Sequence, residues 1–393
     1  MSAIATQPDG MSDLAFGGSS AADARRTAAA RVPEAVAILI GQLAQGGSER
    51  QLYMFLVRCD RTRWAPTVYV SGTLGYWEAP IRALGIPIVL LVGSRISKLR
   101  QLRTACIAQG AVCLFSWSSY TNPFGLALLG TGIRRVGSFR NAMFSDLPTR
   151  LRPLWSWASL AGISTAVCNS RDTFEQLSRR GSVSPRAVYV PNCVEAPGPA
   201  EIARFRSKWR ERLGLQDDTI LILGVGRLAE QKRFDRFIDV VDRVKRNKVK
   251  AVIAGDDLGL RSDLEERIDR LALHDIVSLI GVVPDARELI CAADIFLLTS
   301  DHEGTPNVLL EAMAAGRACV ATPVNGVAEL IDDGTTGFAS AQDAAELAGP
   351  VARLIADPDL RRRVGAAARA AVERGRSPTA IGRELWSLCE PTD

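Results

Sequence analysis

DIFLLTSDHEGTPNVLLEAMAAGRACVAT, residues 294–322, reads as a strand, a helix and a second strand. The apolar runs at either end are short and bounded by polar or glycine positions, as buried strands are. Between them Thr305 is placed to cap a helix and Pro306 to be its first residue. Proline has no N–H to lose there, and its φ is already helical. The N–H groups of Asn307, Val308 and Leu309, with the positive end of the helix dipole, then form an anion site. Glu303 stands just before that site. Glu311 lies about two turns in, but helical side chains lean toward the N-terminus, which brings its carboxylate back toward the same ligand. A carboxylate offers two acceptor oxygens to a vicinal diol, so one helix start can hold a sugar hydroxyl, a phosphate and a ribose in a row.

The same alternation runs outward in both directions. Apolar runs at 34–40, 65–70, 86–91, 111–115, 134–139, 163–168 and 186–190 predict strands separated by helices. After PNCVEAPGPA (191–200), a proline-rich linker candidate, runs at 219–224, 250–255, 276–281, 294–300 and 318–322 resume the pattern. Two tandem α/β domains with parallel sheets follow. The expected boundaries are a disordered tail over 1–33, a first domain over 34–195, a linker over 196–200, a second domain over 201–376, and a helix over 377–393 that crosses back to the first domain. Following the first strand, Gly46 and Gly47 permit a tight turn, Ser48 and Gln51 fit a capping box, and the loop's N–H groups can touch phosphate. The G-x-G-x-x-G order of dinucleotide sites is absent. Asn122-Pro123 repeats the cap-then-proline start, and Ser170 caps a further helix. Asp357 and Asp359 form a D-x-D pattern without a preceding strand, which reads as a helix cap.

The chain has 393 residues, enough for two or three cores, and 47% hydrophobic with 23% charged residues is an ordinary globular composition. No apolar run is long enough to cross a bilayer, and residues 1–33 lack the apolar stretch of a secretory signal. The eight cysteines are scattered and never fall as CxxC, which reads as reduced, buried, cytosolic thiols. With only His274 and His302, no zinc cluster is expected. Residues 34–195 carry 18 Lys+Arg against 8 Asp+Glu, a net of +10, whereas 196–393 carry 27 against 32, a net of −5. A basic first half fits an anionic partner; a solvated arginine-rich surface is the competing reading. No nucleic-acid-binding motif accompanies the charge, so no nucleic-acid partner is expected.

In TILILGVGRLAEQKRFDRFIDVV, Arg227 and Lys232 flank a loop directly after a strand, where open parallel sheets bind ligands. Two cations there can neutralise a diphosphate. That loop, VIAGDD, the run VSLIGVVPDARELICAADIFLLTSDHEGTPNVLLEAMAAGRACVAT and GVAELIDDGTTGF resemble the nucleotide-sugar half of retaining glycosyltransferases of family 4, a GT-B family. The resemblance covers about 120 residues in order, and GQLAQGGSERQL and the AVCNS strand end extend it weakly into the first half. It implies two Rossmann-like parallel-sheet domains facing across a cleft. It further implies that Arg227 and Lys232 bind the donor diphosphate, Glu311 the ribose and Glu303 the transferred sugar. Backbone groups around Gly304, Thr305, Pro306, Asn307 and Val308 then hold sugar and β-phosphate, while Gly46 and Gly47 close on the phosphate from the other domain. No cofactor and no metal are implied, and the donor is a UDP-sugar in the first instance, a GDP-sugar in the second. The catalytic set is Glu303, Arg227 and Lys232.

One departure stands out. Where many relatives carry a histidine after the fourth strand, this chain reads Ser116-Trp117-Ser118-Ser119-Tyr120, and Trp117 is set either to stack on a sugar or to pack. For the acceptor, Arg134, Arg135, Arg140, Arg150 and Arg152 with Trp155 and Trp157 offer a basic, aromatic region suited to an anionic lipid headgroup or a lipid-linked glycan; a solvent-facing helix with core tryptophans is the other reading. The expected function is retaining sugar transfer to a lipid-linked or polysaccharide-precursor acceptor, in the cytoplasm or on the inner face of the membrane. The alternative is a non-catalytic GT-B partner of an active enzyme, which the missing histidine favours and the intact Arg227, Lys232, Glu303 and Glu311 oppose.

Overall fold

The computed structural model describes residues 32–141, 144, 151–181 and 185–391. The expected tail therefore lies outside the described residues apart from Val32 and Pro33, as does Arg150. Strands β1 (Glu34–Ile40), β2 (Trp64–Val70), β3 (Ile88–Leu90), β4 (Cys113–Ser116), β5 (Arg134–Phe139), β6 (Thr165–Cys168) and β7 (Arg186–Tyr189) form one sheet in the order β3-β2-β1-β4-β5-β6-β7. A second sheet takes β8 (Ile220–Val225), β9 (Val249–Ala254), β10 (Val277–Gly281), β11 (Ile295–Leu298), β12 (Ala318–Ala321) and β13 (Phe338–Ala339) in the order β10-β9-β8-β11-β12-β13. Every pairing is parallel. Each strand expected from the sequence is present; only the two-residue β13 was not anticipated.

Parallel sheets are covered on both faces, which is why their strands are continuous apolar runs. Helices α1 (Gly47–Val57), α2 (Glu78–Ala83), α3 (Arg95–Ala108), α4 (Arg152–Ala161) and α5 (Arg171–Ser178) lie between the strands of the first sheet. Along β1, Val36, Ile38 and Ile40 face a core with Phe55 of α1, while Ala37 and Leu39 face one with Leu102 and Cys106 of α3, as the two-residue period requires. Helices α6 (Pro199–Arg212), α7 (Phe234–Val244), α8 (Arg261–Arg270), α9 (Ala286–Ala292), α10 (Asn307–Ala314), α11 (Ala344–Ala356) and α12 (Pro358–Gly375) cover the second sheet. Trp209 of α6 shares a core with α9, α10 and α12. Helix α6 begins inside the segment expected as linker: Gly198 caps it and Pro199 opens it.

Helix α13 (Pro378–Ser387) returns to the first domain. Its Ile381, Leu385 and Trp386 join the core of α1 and β1. Trp386 stacks on Phe55 at 4.1 Å, lies 5.8 Å from Trp64, and donates its indole N–H to the Phe55 carbonyl. Each such aromatic burial stabilises by roughly 1.5–3 kcal/mol, so the chain's end is an integral part of the first core.

Two local expectations change. The Asn122 start is a 3-10 turn, Asn122–Leu128, following Thr121; a helix of α pitch is not built there. Ser170 does cap α5 through the Thr173 N–H, and Asp357 caps α12 through the N–H groups of Asp359 and Leu360. Ser48 and Gln51 do not form a capping box. Helix α1 is entered from Gly46 with no side-chain cap, and Gln51 instead donates to the Cys193 carbonyl and accepts from its N–H.

Candidate active site

In both sheets the strand order reverses next to the first strand of its domain, between β1 and β4 and between β8 and β11. Such switch points leave a crevice at the carboxyl ends of the strands. The loop after β8 carries Arg227 and Lys232, and the loop after β11 carries Glu303. Lys232 Nζ lies 2.6 Å from Glu303 Oε1, to which Ser300 Oγ also donates at 2.7 Å. Lysine and carboxylate are both largely buried, so their attraction is little screened. Gly226 makes room for this arrangement, since a Cβ there would lie 3.1 Å from the Lys232 stem. Arg227 is exposed at the start of the same loop. Its charge acts on buried Glu49 in α1, whose carboxyl is nevertheless raised by desolvation above all.

The start of α10 corrects one detail. Pro306 occupies the cap position and Asn307 is the first helical residue. Thr305 does not cap, because its hydroxyl donates to the Asn169 carbonyl in the first domain. The first helical turn closes with Leu309 N–H to Pro306 C=O, so the N–H groups of Asn307 and Val308 precede the hydrogen-bonded ladder. Gly304 is squeezed against the first domain, and a Cβ there would fall 2.8 Å from the Arg140 carbonyl oxygen.

The first domain also reaches this site through the segment from Gln45 to Gln51 and through Asn192. Gln45 Nε2 donates to the carbonyls of Val283 (3.1 Å) and Pro284 (3.0 Å). Gly47 packs so closely that a Cβ would stand 2.4 Å from Asn307 Nδ2. Asn307 Oδ1 accepts from Gln51 Nε2 at 3.2 Å and from Asn192 Nδ2 at 2.9 Å. Arg50 Nη1 meets Glu311 Oε1 at 2.6 Å. Burial raises the Glu311 carboxyl above its ordinary value, and Arg50, with Arg287, pulls it part of the way back. Arg50, Gln45 and Asn192 were not among the sequence candidates. The only signal for Arg50 is its place three residues after Gly47, on the same helix face as the residues at the seam.

Among the acceptor candidates the structure separates inside from outside. Trp117 is fully buried, stacked on Phe55 at 5.2 Å and donating to the Ser48 carbonyl at 2.9 Å, so it cannot offer a face to a sugar or a membrane. Arg140 is also buried, with its guanidinium 3.9 Å above the Trp117 ring and donating to Asn192 Oδ1, which removes it from any membrane-facing surface. Arg152 is exposed at the start of α4 beside exposed Leu151, Leu154 and Trp157. Trp155 is half-buried, donating to the Tyr120 carbonyl and covered by Arg95. Arg134 and Arg135 donate to the carbonyls of Glu390 and Ala161. His302 is exposed, and Asp301 turns away from Glu303 to pair with Arg233 and Arg236, so the three consecutive residues do not converge. The described residues contain no group of three or more His, Cys, Asp or Glu placed to hold a metal ion.

The sequence signature of the family described as Glycosyl transferases group 1 matches residues 205–371, the span that carries the Lys232–Glu303 pair and α10. Over that span the chain is similar to the group 1 glycosyl transferases. An α-D-kanosaminyltransferase of Streptomyces kanamyceticus is 36% identical over 48% of this chain and 50% of its own length. The lipopolysaccharide core biosynthesis glycosyltransferase LpsE of Rhizobium meliloti is 27% identical over 58% of this chain and 63% of its own. The chain thus spans about half the length of the curated relatives it matches. In three dimensions the likeness covers both domains. Anabaena HepE, solved with UDP and glucose, superposes with a TM-score of 0.78 at 20% identity over 90% of this chain and 98% of that one. WaaG, a glycosyltransferase involved in lipopolysaccharide biosynthesis, gives 0.73 at 17% identity over 91% and 100%. The fold is GT-B.

Proposed function

We propose that the protein is a retaining glycosyltransferase that moves a sugar from a nucleotide-diphosphate sugar to a lipid-linked or polysaccharide-precursor glycan. The observation that carries this reading is the buried Lys232–Glu303 pair at the switch point of the glycosyl transferase domain, directly before the open N-terminus of α10. In the leaving step negative charge grows on the diphosphate. Lys232, Arg227 and the N–H groups of Asn307 and Val308 are already in place to stabilise it without reorganisation. Glu303 takes hydroxyls of the transferred sugar, and Glu311 the ribose once Arg50 releases it. Leaving phosphate and acceptor share one face, and the phosphate oxygen accepts the acceptor's proton, so the chain need not supply a base. The positive charge supplied by Lys232, Arg227 and α10 makes the transfer independent of a divalent metal. HepE structures with UDP and with UDP-glucose support a uridine donor, with a GDP-sugar as the second option, and LpsE supports a glycan acceptor. No described helix is long and apolar enough to cross a membrane. Exposed Leu151, Arg152, Leu154 and Trp157 favour peripheral contact with an anionic membrane on its cytoplasmic face.

The test is ligand-induced stabilisation, since a ligand that binds only the native state raises the melting temperature. UDP-, GDP- and ADP-sugars are screened against the wild type; a UDP-sugar is expected to raise Tm, and no shift with any of the three overturns the reading. Activity in chelator is expected to persist, and a loss restored by magnesium or manganese overturns metal independence. The alternative of a non-catalytic partner draws on the occupation of Glu311 by Arg50. It predicts a nucleotide-induced shift without turnover.

A further inference from the structure

Arg140 follows β5 and is buried to 9% exposure, yet no carboxylate among the described residues meets it. Its guanidinium lies over Trp117, one terminal nitrogen donates to Asn192 Oδ1 at 3.1 Å, and Nε is buried without an acceptor. Arg210 and Arg236 are buried to a similar degree, and each meets an aspartate, Asp294 and Asp301 respectively. Arg376, the other arginine in this buried class, ends α12, where the helix dipole offers negative potential. Arg140 follows a strand and has no such compensation among the described residues. Burial pulls its pKa down to about 9, a measure of how poorly the folded chain alone accommodates the charge. A buried cation without an anion is costly unless something supplies one.

Its place says what that is. The Arg140 carbonyl abuts Gly304, next to Glu303. Asn192, which accepts from the guanidinium, donates through its other amide atom to Asn307 Oδ1 at the start of α10. Asn169 braces the arrangement, donating to both the Arg140 carbonyl and Asn192 Oδ1. The guanidinium is thus one amide away from the phosphate end of the site and beside the loop that bears its sugar carboxylate. The diphosphate already has Lys232, Arg227 and the helix; Arg140 is surplus to it. We propose that Arg140 binds a second anionic group, a carboxylate or a phosphate monoester, carried by one of the two sugars brought together in the cleft. The group belongs to the donor if the transferred sugar is a uronate, and to the acceptor if that glycan is phosphorylated or acidic. This rests on the reading of the cleft as a nucleotide-sugar site.

The experiment compares wild type, Arg140→Met and Arg140→Lys, all as the full chain. Binding of UDP, UDP-glucose and UDP-glucuronate is measured by calorimetry, and transfer is measured to paired acceptors with and without a phosphate or carboxylate. Either UDP-glucuronate is preferred over UDP-glucose, or the charged acceptor over the neutral one, by about tenfold or more. Arg140→Met is expected to abolish that ratio with UDP affinity unchanged, and Arg140→Lys to keep part of it. A preference confined to the donor arm assigns the anion to the transferred sugar, and one confined to the acceptor arm to the other. No ratio in either arm, or a ratio that survives in Arg140→Met, overturns the proposal. So does an equal loss for charged and neutral partners, because that marks Arg140 as a support for Trp117 and Asn192 only. If UDP itself does not bind the wild type, the nucleotide-sugar reading fails first. The anion site is then judged on glucuronate and inorganic phosphate, which must stabilise the wild type and not Arg140→Met.

Discussion

The two faces of the cleft handle charge in opposite ways. On the second domain's face the acids proposed to hold the donor meet cations at contact distance: Glu303 with Lys232 inside the domain, and Glu311 with Arg50 across the seam. On the first domain's face Arg140 is buried with no carboxylate among the described residues beside it, while Arg152 stands in solvent among exposed apolar side chains. A face whose charges are balanced before any ligand arrives needs little rearrangement when one does. A face with an unbalanced charge leaves that balance to the ligand, and so discriminates among ligands by their charge.

The largest test breaks the balanced face. Lys232→Ala removes a phosphate cation and also leaves Glu303 buried without its partner. Transfer is expected to fall by about 10²–10³-fold, as when a prepositioned charge stabiliser is lost. Stability is expected to fall by roughly 3–5 kcal/mol, the usual cost of orphaning a buried ion. Turnover assays and urea unfolding read the two effects separately, and wild-type turnover would sink the assignment of this pair.

A smaller effect sharpens the comparison at the seam. If Arg50 only occupies Glu311 until a nucleotide arrives, Arg50→Ala melts lower by about 1–3 kcal/mol yet binds UDP at least as tightly as the wild type. A tenfold weaker UDP affinity would instead make Arg50 a nucleotide ligand and place it on the balanced face. The smallest effect lies at the outer edge of the first domain. Arg152→Glu with Trp157→Ala is expected to reduce cosedimentation with anionic vesicles by severalfold without changing the melting temperature, each exposed charge near such a surface contributing about 1 kcal/mol. Unchanged cosedimentation would remove the membrane contact.

Much of the second domain was legible because its signals are local. Arg227, Lys232 and Glu303 sit at strand ends, and a strand end is visible as the last residue of an apolar run. The β12 strand, the α12 cap at Asp357 and the α5 cap at Ser170 were legible for the same reason. Thr305 misled because its hydroxyl has a partner in the other domain, and no spacing rule reports a bond to Asn169. Gln51 misled likewise, since the Cys193 backbone takes the side chain that a capping box would use. Helix α6 was hidden by the prolines of the segment before it, although Pro199 is a helix-opening proline. Arg140 looks like a surface residue in the sequence and Trp117 was open between stacking on a sugar and packing; Trp117 is interior because Phe55 and Ser48 of α1 lie against it, and Arg140 because it sits over Trp117 beside Asn192.

That closure by α13 has a consequence for how the molecule is made. A ribosome releases the first domain's strands long before it supplies Trp386, and until then Phe55 and Trp64 lack the ring that covers them. The second sheet and its helices, continuous from Pro199 to Gly375, need nothing from the last segment to complete their core. The half emerging second is therefore the half finished first. Helix α1, which carries Gly47, Arg50 and Gln51 to the seam, gains its contact with Trp386 only when the final helix docks. A chain stopped after Gly375 would keep the Lys232–Glu303 pair and lose the ring that covers the helix facing it.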